Sequence, residues 1–571
     1  MNNELEIEKI ETKRHNYTLK VNGYFLHSKY DPEKEAEQFI EKNYKPNHTT
    51  ILFGCGMGYY AKALLNKKNK EEKLIIIEPL IVPDENIDKQ IEAFIIQATS
   101  QDVIKSLFMN ELDMYSNLHI ICSPNYNHLF PELYVDILSI IKDRVSVNKI
   151  VENTVRRYAN DWQENYLHNL GNAFMDQSLE NLFQKHTCPV VIASGGPSLT
   201  KQIEQLKKVK DKIILIAAGS TINTLLKNDI NPDYVVSIDG GKANYHHFKQ
   251  LTFQKTKLIY SMYNHFLIRE SFNNPSYYFL SSDAAHLSGH MEKVLNTQFP
   301  IIIGGGSVAN YALSIAMYIS SGPVTLIGQD LAYTDNKSHA EHNRSFSIID
   351  EAYMKKRGIF LTKGYYGEDV PTDYAFYTMK EHFEEMVKSI GEQRLIHNST
   401  EGGIFLEGFK QVPFVEFCEE YVDYQYKKNI NAVNPVAQSE TSYETFILQM
   451  KHEDEIYNKI NLVLIDSLST IKQNKNNSTF SPSVLKRLDK NDKKIENLFE
   501  QVPMSSILTP ITMDVMKKFS PKANETEKEK YERVFEQNKT LYERLLEVTY
   551  TSQQYTSNLI EQIKEKSELS K

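Results

Sequence analysis

The sequence predicts an α/β protein whose central, mostly parallel sheet carries helices on both faces. Two observations support this fold class. Short apolar runs recur after Pro189 with helical segments between them, and loops rich in glycine, serine or aspartate follow several runs directly. Ligands of such sheets bind at the carboxyl ends of the strands, so function is expected in these loops. The runs are VVIAS, KIILIAAGS, YVVSID, KLIYSM, YYFLSS, FPIIIGGGS and VTLIGQD.

The 571 residues are expected to form three units. Residues 1-150 contain the patterns TTILFGCGMGYYAKALL and KLIIIEP, which predict a second, Rossmann-like α/β domain. Residues 151-430 carry the central sheet. In residues 431-571 glycine nearly disappears and long charged segments have helical periodicity. We expect this helical region to recognise a protein acceptor.

Composition narrows the class of protein. The chain is 41% hydrophobic and 24% charged, which is typical of a globular protein. A net charge of −9 without a basic stripe argues against a nucleic-acid partner. The four cysteines show no CxxC spacing, and the first residues lack the apolar core of a signal peptide, so a cytoplasmic protein is expected. The uncharged stretch 294–329 contains a Gly-Gly-Gly-Ser break and is interpreted as buried strand, loop and helix, not as a membrane span.

The N-terminal glycine loop allows two interpretations. Gly54, Gly56 and Gly58 follow an apolar run, and Glu78 ends the next run, as in a nucleoside cradle of S-adenosylmethionine-dependent methyltransferases. The other interpretation is a scaffold whose glycines serve only the tight turn. We expect the structural role, because no second methyltransferase signature follows.

The loop Ala193-Ser194-Gly195-Gly196-Pro197-Ser198-Leu199 lies between a predicted strand and a predicted helix. Its glycines allow close backbone approach, and the helix start favours an anion, so the loop is a candidate phosphate cradle. It lacks the lysine of a Walker loop, which disfavours NTP hydrolysis. A simple turn with a serine cap remains the alternative.

Two more loops of this kind follow. Gly219 and Ser220 end the second run, and Asp239 ends the third, where a carboxylate can accept ribose hydroxyls or bind a cation. A single aspartate at a strand end also serves as an ordinary turn former or helix cap. Three loops at intervals of about 20 residues favour one shared site.

The ordered motifs SGGPSL, AAGSTINTLL, NPDYVVSID, GGGSVANYALSIAMY and TLIGQDLAYTDNKSHAEH resemble the motility-associated factor (Maf) family of flagellin glycosyltransferases. The core of that family is similar to metal-independent bacterial sialyltransferases. The resemblance implies a sialyltransferase-like fold and a CMP-activated nonulosonic acid donor, either pseudaminic or legionaminic acid. It also implies transfer with inversion to Ser or Thr of flagellin, supporting flagellum assembly and motility, with no cofactor or metal.

By this resemblance, Gly196, Pro197 and Ser198 lie near the donor phosphate or the reacting sugar, and Ser220 and Asp239 line the nucleotide pocket. Ser307 begins a helix, where its hydroxyl and N–H would hold the sugar carboxylate. The full set of expected donor-binding residues is Gly195, Gly196, Pro197, Ser198, Gly219, Ser220, Asp239, Gly306, Ser307 and Gln329.

The expected catalytic residues are His339, Tyr333, Asp330 and Glu368. Tyr333 matches, with an offset of one residue, the tyrosine that sialyltransferases place on the departing phosphate. Their later histidine base has no equivalent here. His339 is the first candidate base because histidine titrates near neutrality. Glu368 and Asp369 are further candidates, and His342 is close enough in sequence to compete.

Two other functions stay open. The same core resembles archaeal 6-hydroxymethylpterin pyrophosphokinases, and Asp239, Asp330 and Asp335 would then hold Mg²⁺. A non-catalytic flagellin-binding factor is the second alternative. The sugar, the acceptor sites and the oligomeric state do not follow from the sequence.

Overall fold

We describe a computed structural model of the chain. It describes residues 5–70, 72–80, 95–96, 104, 108, 117–253, 255–391, 394–428, 438–521 and 525–569. The chain forms two compact units, Met1–Arg156 and Arg157–Lys571. The three-part division expected from the sequence stays a prediction, and its boundary at residue 430 lies outside the described residues.

The first unit contains two sheets. The antiparallel sheet has the order β1-β2-β3, and the parallel sheet has the order β6-β5-β4-β7. β4 and β5 are buried along their whole length, which explains the continuous apolar sequence of β5 and the apolar second half of β4. The strands are β1 (Ile7–Glu11), β2 (Tyr17–Val21), β3 (Tyr24–Phe25), β4 (Thr49–Phe53), β5 (Leu74–Ile77), β6 (Ile95–Ile96) and β7 (Leu118–Cys122). The helices are α1 (Pro32–Asn43), α2 (Tyr59–Lys67), α3 (Tyr126–Leu129) and α4 (Pro131–Met175), the last continuing into the second unit.

The second unit is built on a ten-stranded sheet, and every pairing described in it is parallel. Its order is β14-β13-β12-β11-β10-β9-β15-β18-β19, with β8 beside β13. The predicted fold class is confirmed. The strands are β8 (Gln177–Ser178), β9 (Val190–Ala193), β10 (Ile214–Ala218), β11 (Tyr234–Ser237), β12 (Lys257–Ser261), β13 (Tyr277–Ser281), β14 (Ile301–Ile302), β15 (Val324–Ile327), β18 (Ile396–Asn398) and β19 (Lys410–Gln411).

Helices cover both faces of this sheet. Val191 and Ala193 of β9 face one apolar core, whereas Val190 and Ile192 face the other, as the two-residue period of a strand requires. A separate antiparallel hairpin consists of β16 (Phe360–Lys363) and β17 (Asp369–Thr372). The helices are α5 (Leu199–Val209), α6 (Thr221–Lys227), α7 (Lys242–Phe248), α8 (Ser288–Leu295), α9 (Val308–Ile319), α10 (Glu351–Arg357), α11 (Tyr374–Ile390) and α12 (Phe414–Tyr421).

The C-terminal region is helical, as predicted. It contains α13 (Glu440–Gln473), α14 (Pro482–Phe499), α15 (Ser505–Lys518) and α16 (Glu527–Leu569). Phe446 of α13 and Ile563 of α16 belong to the same apolar core as one face of the central sheet. Because that core is shared, deleting the region would expose apolar surface of the sheet domain.

The uncharged stretch 294–329 forms the end of α8, the strand β14, the helix α9 and the strand β15. Half of its residues are buried, among them all of β15, in agreement with the interpretation as buried strand, loop and helix. In the described part of the chain, no helix combines the length and apolarity that crossing a membrane would require.

Candidate functional site

A cavity of about 150 Å³ lies at the carboxyl ends of β9, β10 and β15. β10 and β15 lie on opposite sides of β9, so the cavity occupies the place where the strand order reverses, the usual binding position in open parallel sheets. It is lined by Ser194, Gly195, Gly196, Ala218, Ser220, Thr221, Ser307, Val308, Ala309, Gly328, Gln329, Asp330, Leu331, Ala332, Ser338, His339, Phe376 and Met379.

Three polar atoms of this lining are buried without a hydrogen-bond partner among the described residues. They are Ser194 Oγ, Gln329 Oε1 and His339 Nδ1. Buried polar groups in proteins are nearly always hydrogen-bonded, and each unsatisfied group costs about 1–3 kcal/mol. Three such atoms in one cavity leave hydrogen-bonding positions that water or a polar ligand would fill.

The first turn of α9 also faces the cavity. Ser307 caps the helix by accepting the Asn310 N–H at 3.4 Å, and Val308 and Ala309 contribute to the lining. The first N–H groups of a helix have no partner within it and carry a partial positive charge, so this helix start favours an anionic group. The preceding glycine loop is held by α11, because Gly306 N–H donates to His382 Nδ1 at 2.9 Å.

The expected phosphate cradle at Ser198 contains an anion of the protein itself. The Ser198 N–H lies 3.2 Å from each carboxylate oxygen of Asp330, and Ser198 Oγ donates to Oδ1 at 2.7 Å. Thr334 Oγ1 also donates to Asp330 Oδ1, at 2.7 Å. Burial raises the pKa of Asp330. Ser198 and Pro197 do not line the cavity, whereas Gly195 and Gly196 do.

Glycines allow this carboxylate to come close to the backbone. A Cβ on Gly196 would lie 2.2 Å from Asp330 Oδ2, and one on Gly402 would lie 2.2 Å from Ser198 Oγ. Gly403 has φ +70°, and a Cβ there would lie 2.1 Å from the backbone oxygen of Asp330. The sequence analysis missed this loop after β18, although its Gly402-Gly403 pair follows a strand just as the recognised loops do.

His339 lies in the loop that closes one side of the cavity. This loop is attached to the glycine loop, since Ala340 N–H donates to Gly195 O at 2.9 Å. Burial lowers the pKa of His339, so its imidazole is neutral at pH 7 and able to accept a proton. Burial and the charge of Arg344 lower the pKa of His247 on α7, a residue not predicted from the sequence. His247 is also close enough that a proton on His339 would lower its pKa further.

Asp330 and His339 line the cavity, whereas the other proposed catalytic residues, Tyr333 and Glu368, and the further candidates Asp369 and His342 do not. Tyr333 is buried and its hydroxyl donates to Asp373 Oδ2 at 2.9 Å; burial followed by the Asp373 contact raises its pKa. Glu368 lies in the turn of the β16–β17 hairpin, where Oε2 accepts the Tyr366 N–H at 2.9 Å. Asp369 begins β17, and His342 is exposed.

Asp239 lies one strand further along the same edge, after β11, and is not part of the cavity lining. Its side chain is solvent-accessible but surrounded by protein, and this partial desolvation, together with Asp283, raises its pKa. Gly219 has φ +53° and supports the turn before Ser220, which does line the cavity.

The carboxylates expected to hold Mg²⁺ in a pyrophosphokinase differ in their exposure to solvent. Asp330 is buried, whereas the Asp335 side chain is 63% exposed and pairs with Lys201 at 3.7 Å. Within the described ranges, no group of three or more His, Cys, Asp or Glu side chains is arranged to hold a metal ion.

The N-terminal glycine loop is also occupied by protein groups. Glu78 accepts the N–H groups of Cys55 and Gly56, at 2.5 and 2.8 Å. Tyr126 also donates to Glu78, and a Cβ on Gly54 would lie 2.3 Å from the Tyr126 ring. Burial raises the pKa of Glu78. These contacts favour the structural interpretation of the loop.

Comparisons with known proteins agree with this fold. Residues 164–336 match the 6-hydroxymethylpterin diphosphokinase MptE-like family. The whole chain is similar to the solved structure of the Maf glycosyltransferase from Magnetospirillum magneticum AMB-1. The TM-score is 0.57 at 14% identity, over 98% of this chain and 94% of that chain. No curated protein matches the sequence.

The second unit is thus a parallel α/β domain with an MptE-like segment and a cavity at its strand-order reversal. The fold of the whole chain is similar to that of a Maf glycosyltransferase, and the resemblance found in the motifs is confirmed at the level of the fold.

Proposed function

We propose that the protein is a glycosyltransferase that moves a nonulosonic acid, pseudaminic or legionaminic acid, from its CMP-activated donor to Ser or Thr of flagellin. The observation that supports this most is the cavity with its three unpaired polar atoms beside the start of α9. Such a cavity suits a polar group of a sugar beside one negative charge, and the Maf-like fold is consistent with glycosyl transfer.

In this proposal the carboxylate of the sugar binds at the start of α9. The N–H groups of Val308 and Ala309 and the helix dipole would stabilise its charge. Ser194 and Gln329 would pair with uncharged polar groups of the ring. The nucleotide would extend along the carboxyl edge of the sheet past Ser220 towards Asp239.

Transfer requires an acceptor hydroxyl to lose its proton while its oxygen attacks the anomeric carbon. The bond from that carbon to the CMP phosphate oxygen breaks, and attack from the opposite side inverts the configuration. His339 is the base that we propose for the proton, because it is neutral, lies in the cavity wall and has an unpaired ring nitrogen. No metal or cofactor takes part in the proposed reaction.

The proposed acceptor is flagellin in the cytoplasm, before its export, with a role in flagellum assembly and motility. The helical C-terminal region, 431-571, is proposed to recognise this acceptor, since its long helices offer an extended surface.

Pyrophosphoryl transfer to a pterin is a second candidate, favoured by the family match over residues 164–336. It requires a nucleoside triphosphate and Mg²⁺, and it releases a nucleoside monophosphate from ATP instead of CMP from a sugar nucleotide.

The deciding experiment incubates the purified full chain with flagellin and a CMP-nonulosonic acid, and measures CMP release together with the mass of flagellin. We expect both CMP and a flagellin mass increase of one sugar. Release of AMP from ATP in the presence of a hydroxymethylpterin, with unmodified flagellin, would support the second candidate. Binding of flagellin without either product would identify a non-catalytic factor.

A further inference from the structure

The charges around the cavity limit which part of a sugar nucleotide enters it. Among the described lining residues, none is a lysine or an arginine, and Asp330 contributes a carboxylate. The helix start of α9 compensates about half a unit charge. The proposed function assigns this helix start to the sugar carboxylate. A phosphate group in the same cavity would add a second negative charge, and no basic side chain of the lining would balance it. The cavity therefore suits the sugar end of the donor better than the nucleotide end.

The size of the cavity also favours the sugar end of the donor over the nucleotide end. About 150 Å³ is comparable to a protein cavity that admits benzene, so it holds a substituent or one ring edge and not a nucleotide.

The walls of the cavity are of two kinds. Ser194 and Gln329 are each less than 10% exposed and carry unpaired oxygens. Phe376 and Met379, from the first two turns of α11, supply apolar surface together with Leu331. A substituent bearing only hydroxyl groups would satisfy the oxygens but would place polar groups on the apolar wall, which is costly.

We propose that this cavity binds an N-acylamino substituent of the donor sugar. Its amide pairs with Ser194 and Gln329, its methyl group packs against Phe376 and Met379, and the donor phosphate stays outside. This inference rests on the proposed glycosyl transfer and specifies the chemical class of its donor.

The test compares two CMP-activated nonulosonic acids that differ only in an N-acetyl or an N-glycolyl group. A hydrophobic wall discriminates against an added hydroxyl by at most ~10²-fold, so we expect the N-acetyl donor to bind ~10-fold or more tightly by calorimetry. Met379→Gln should bring the two dissociation constants to within about threefold, because its amide can pair with the added hydroxyl. Met386→Gln makes the same change on α11 outside the cavity and should keep the preference of the unmodified protein.

Equal affinity of the unmodified protein for both donors would overturn the inference and leave the proposed transfer intact. The same holds if Met379→Gln and Met386→Gln, both folded by thermal melting, keep the same preference. Failure of the unmodified protein to bind either donor would overturn the proposed function as well. The comparison on the unmodified protein needs no variant, so a misfolded Met379→Gln does not prevent a decision.

Discussion

Replacing Asp330 by alanine tests whether this carboxylate holds the cavity loops together. The change removes the acceptor of the Ser198 N–H, the Ser198 hydroxyl and the Thr334 hydroxyl, all in a buried environment. The two hydroxyls can rotate to other acceptors, whereas the N–H cannot. A buried donor left unpaired costs about 1–3 kcal/mol, so the Ser198 N–H alone accounts for a loss of that size. Burial disfavours the charged form of Asp330, so removing the carboxylate recovers part of the loss, and we expect a net loss of about 1–2 kcal/mol.

The assay is thermal and denaturant unfolding of the full chain, combined with amide hydrogen exchange of peptides covering 194–201. Exchange at Ser198 should accelerate in Asp330→Ala. Asp335→Ala is the matched control, since Asp335 is exposed and its ion pair with Lys201 is long, and it should change stability by less than about 1 kcal/mol. Asp330→Asn keeps one acceptor oxygen, so its loss of stability should lie between those of Asp330→Ala and Asp335→Ala. If Asp330→Ala and Asp335→Ala unfold and exchange alike, the carboxylate does not organise these loops.

Three further predictions use the same contacts. Gly196→Ala should reduce sugar transfer at least ~10-fold and lower the melting temperature, because its Cβ would meet Asp330 Oδ2. Gly289→Ala is the control, since there is open space around its Cβ, and it should change neither quantity. Equal effects of the two variants would contradict the close packing at Gly196. His339→Ala should bind CMP-sugar normally but transfer it ~10²-fold more slowly. Since burial lowers the pKa of His339 from the ordinary histidine value, transfer by the unmodified protein should fall as the pH decreases, with its half-loss below about pH 6.5, the midpoint of an unperturbed histidine. Half-loss at pH 7 or above would point to another base. Glu78→Ala should destabilise the first unit, because the Cys55 N–H loses its acceptor and the Gly56 N–H keeps only the Tyr126 hydroxyl. Calorimetry should detect no S-adenosylmethionine binding by the unmodified chain; binding that Glu78→Ala abolishes would restore the methyl-donor interpretation.

Sequence patterns predicted the fold because the apolar runs of buried strands are local features that repeat along the chain. The apolar runs became β9 to β15 since a strand covered on both faces must be apolar along its length. The glycine loops after β9 and β10 and the helix start at Ser307 meet at one cavity, as expected for the carboxyl edge of a parallel sheet.

The details of the cavity depend on contacts between residues distant in sequence. Asp330 binds Ser198 across 132 positions, and Gln329 N–H donates to Thr400 Oγ1 across 71. Tyr333 was expected to contact the departing phosphate, but its hydroxyl donates to Asp373, 40 positions further along the chain. No local sequence pattern predicts this contact. Such pairings follow from the strand order β9-β15-β18, and no local sequence pattern reveals which strands are neighbours.

The two glycine loops share a feature that changes how such motifs are interpreted. In the first unit, Glu78 follows β5 and accepts N–H groups from the loop after the adjacent strand β4. In the second unit, Asp330 follows β15 and accepts an N–H group from the loop after the adjacent strand β9. In each loop, the acceptor of these N–H groups is a carboxyl group that follows the neighbouring strand. In this chain, a loop N–H group that already donates to such a carboxyl group is a weaker donor to a ligand than an N–H group without that partner. By that criterion, the start of α9, where the described cavity lining adds no acidic side chain other than Asp330, is the better place for the anionic group of a substrate.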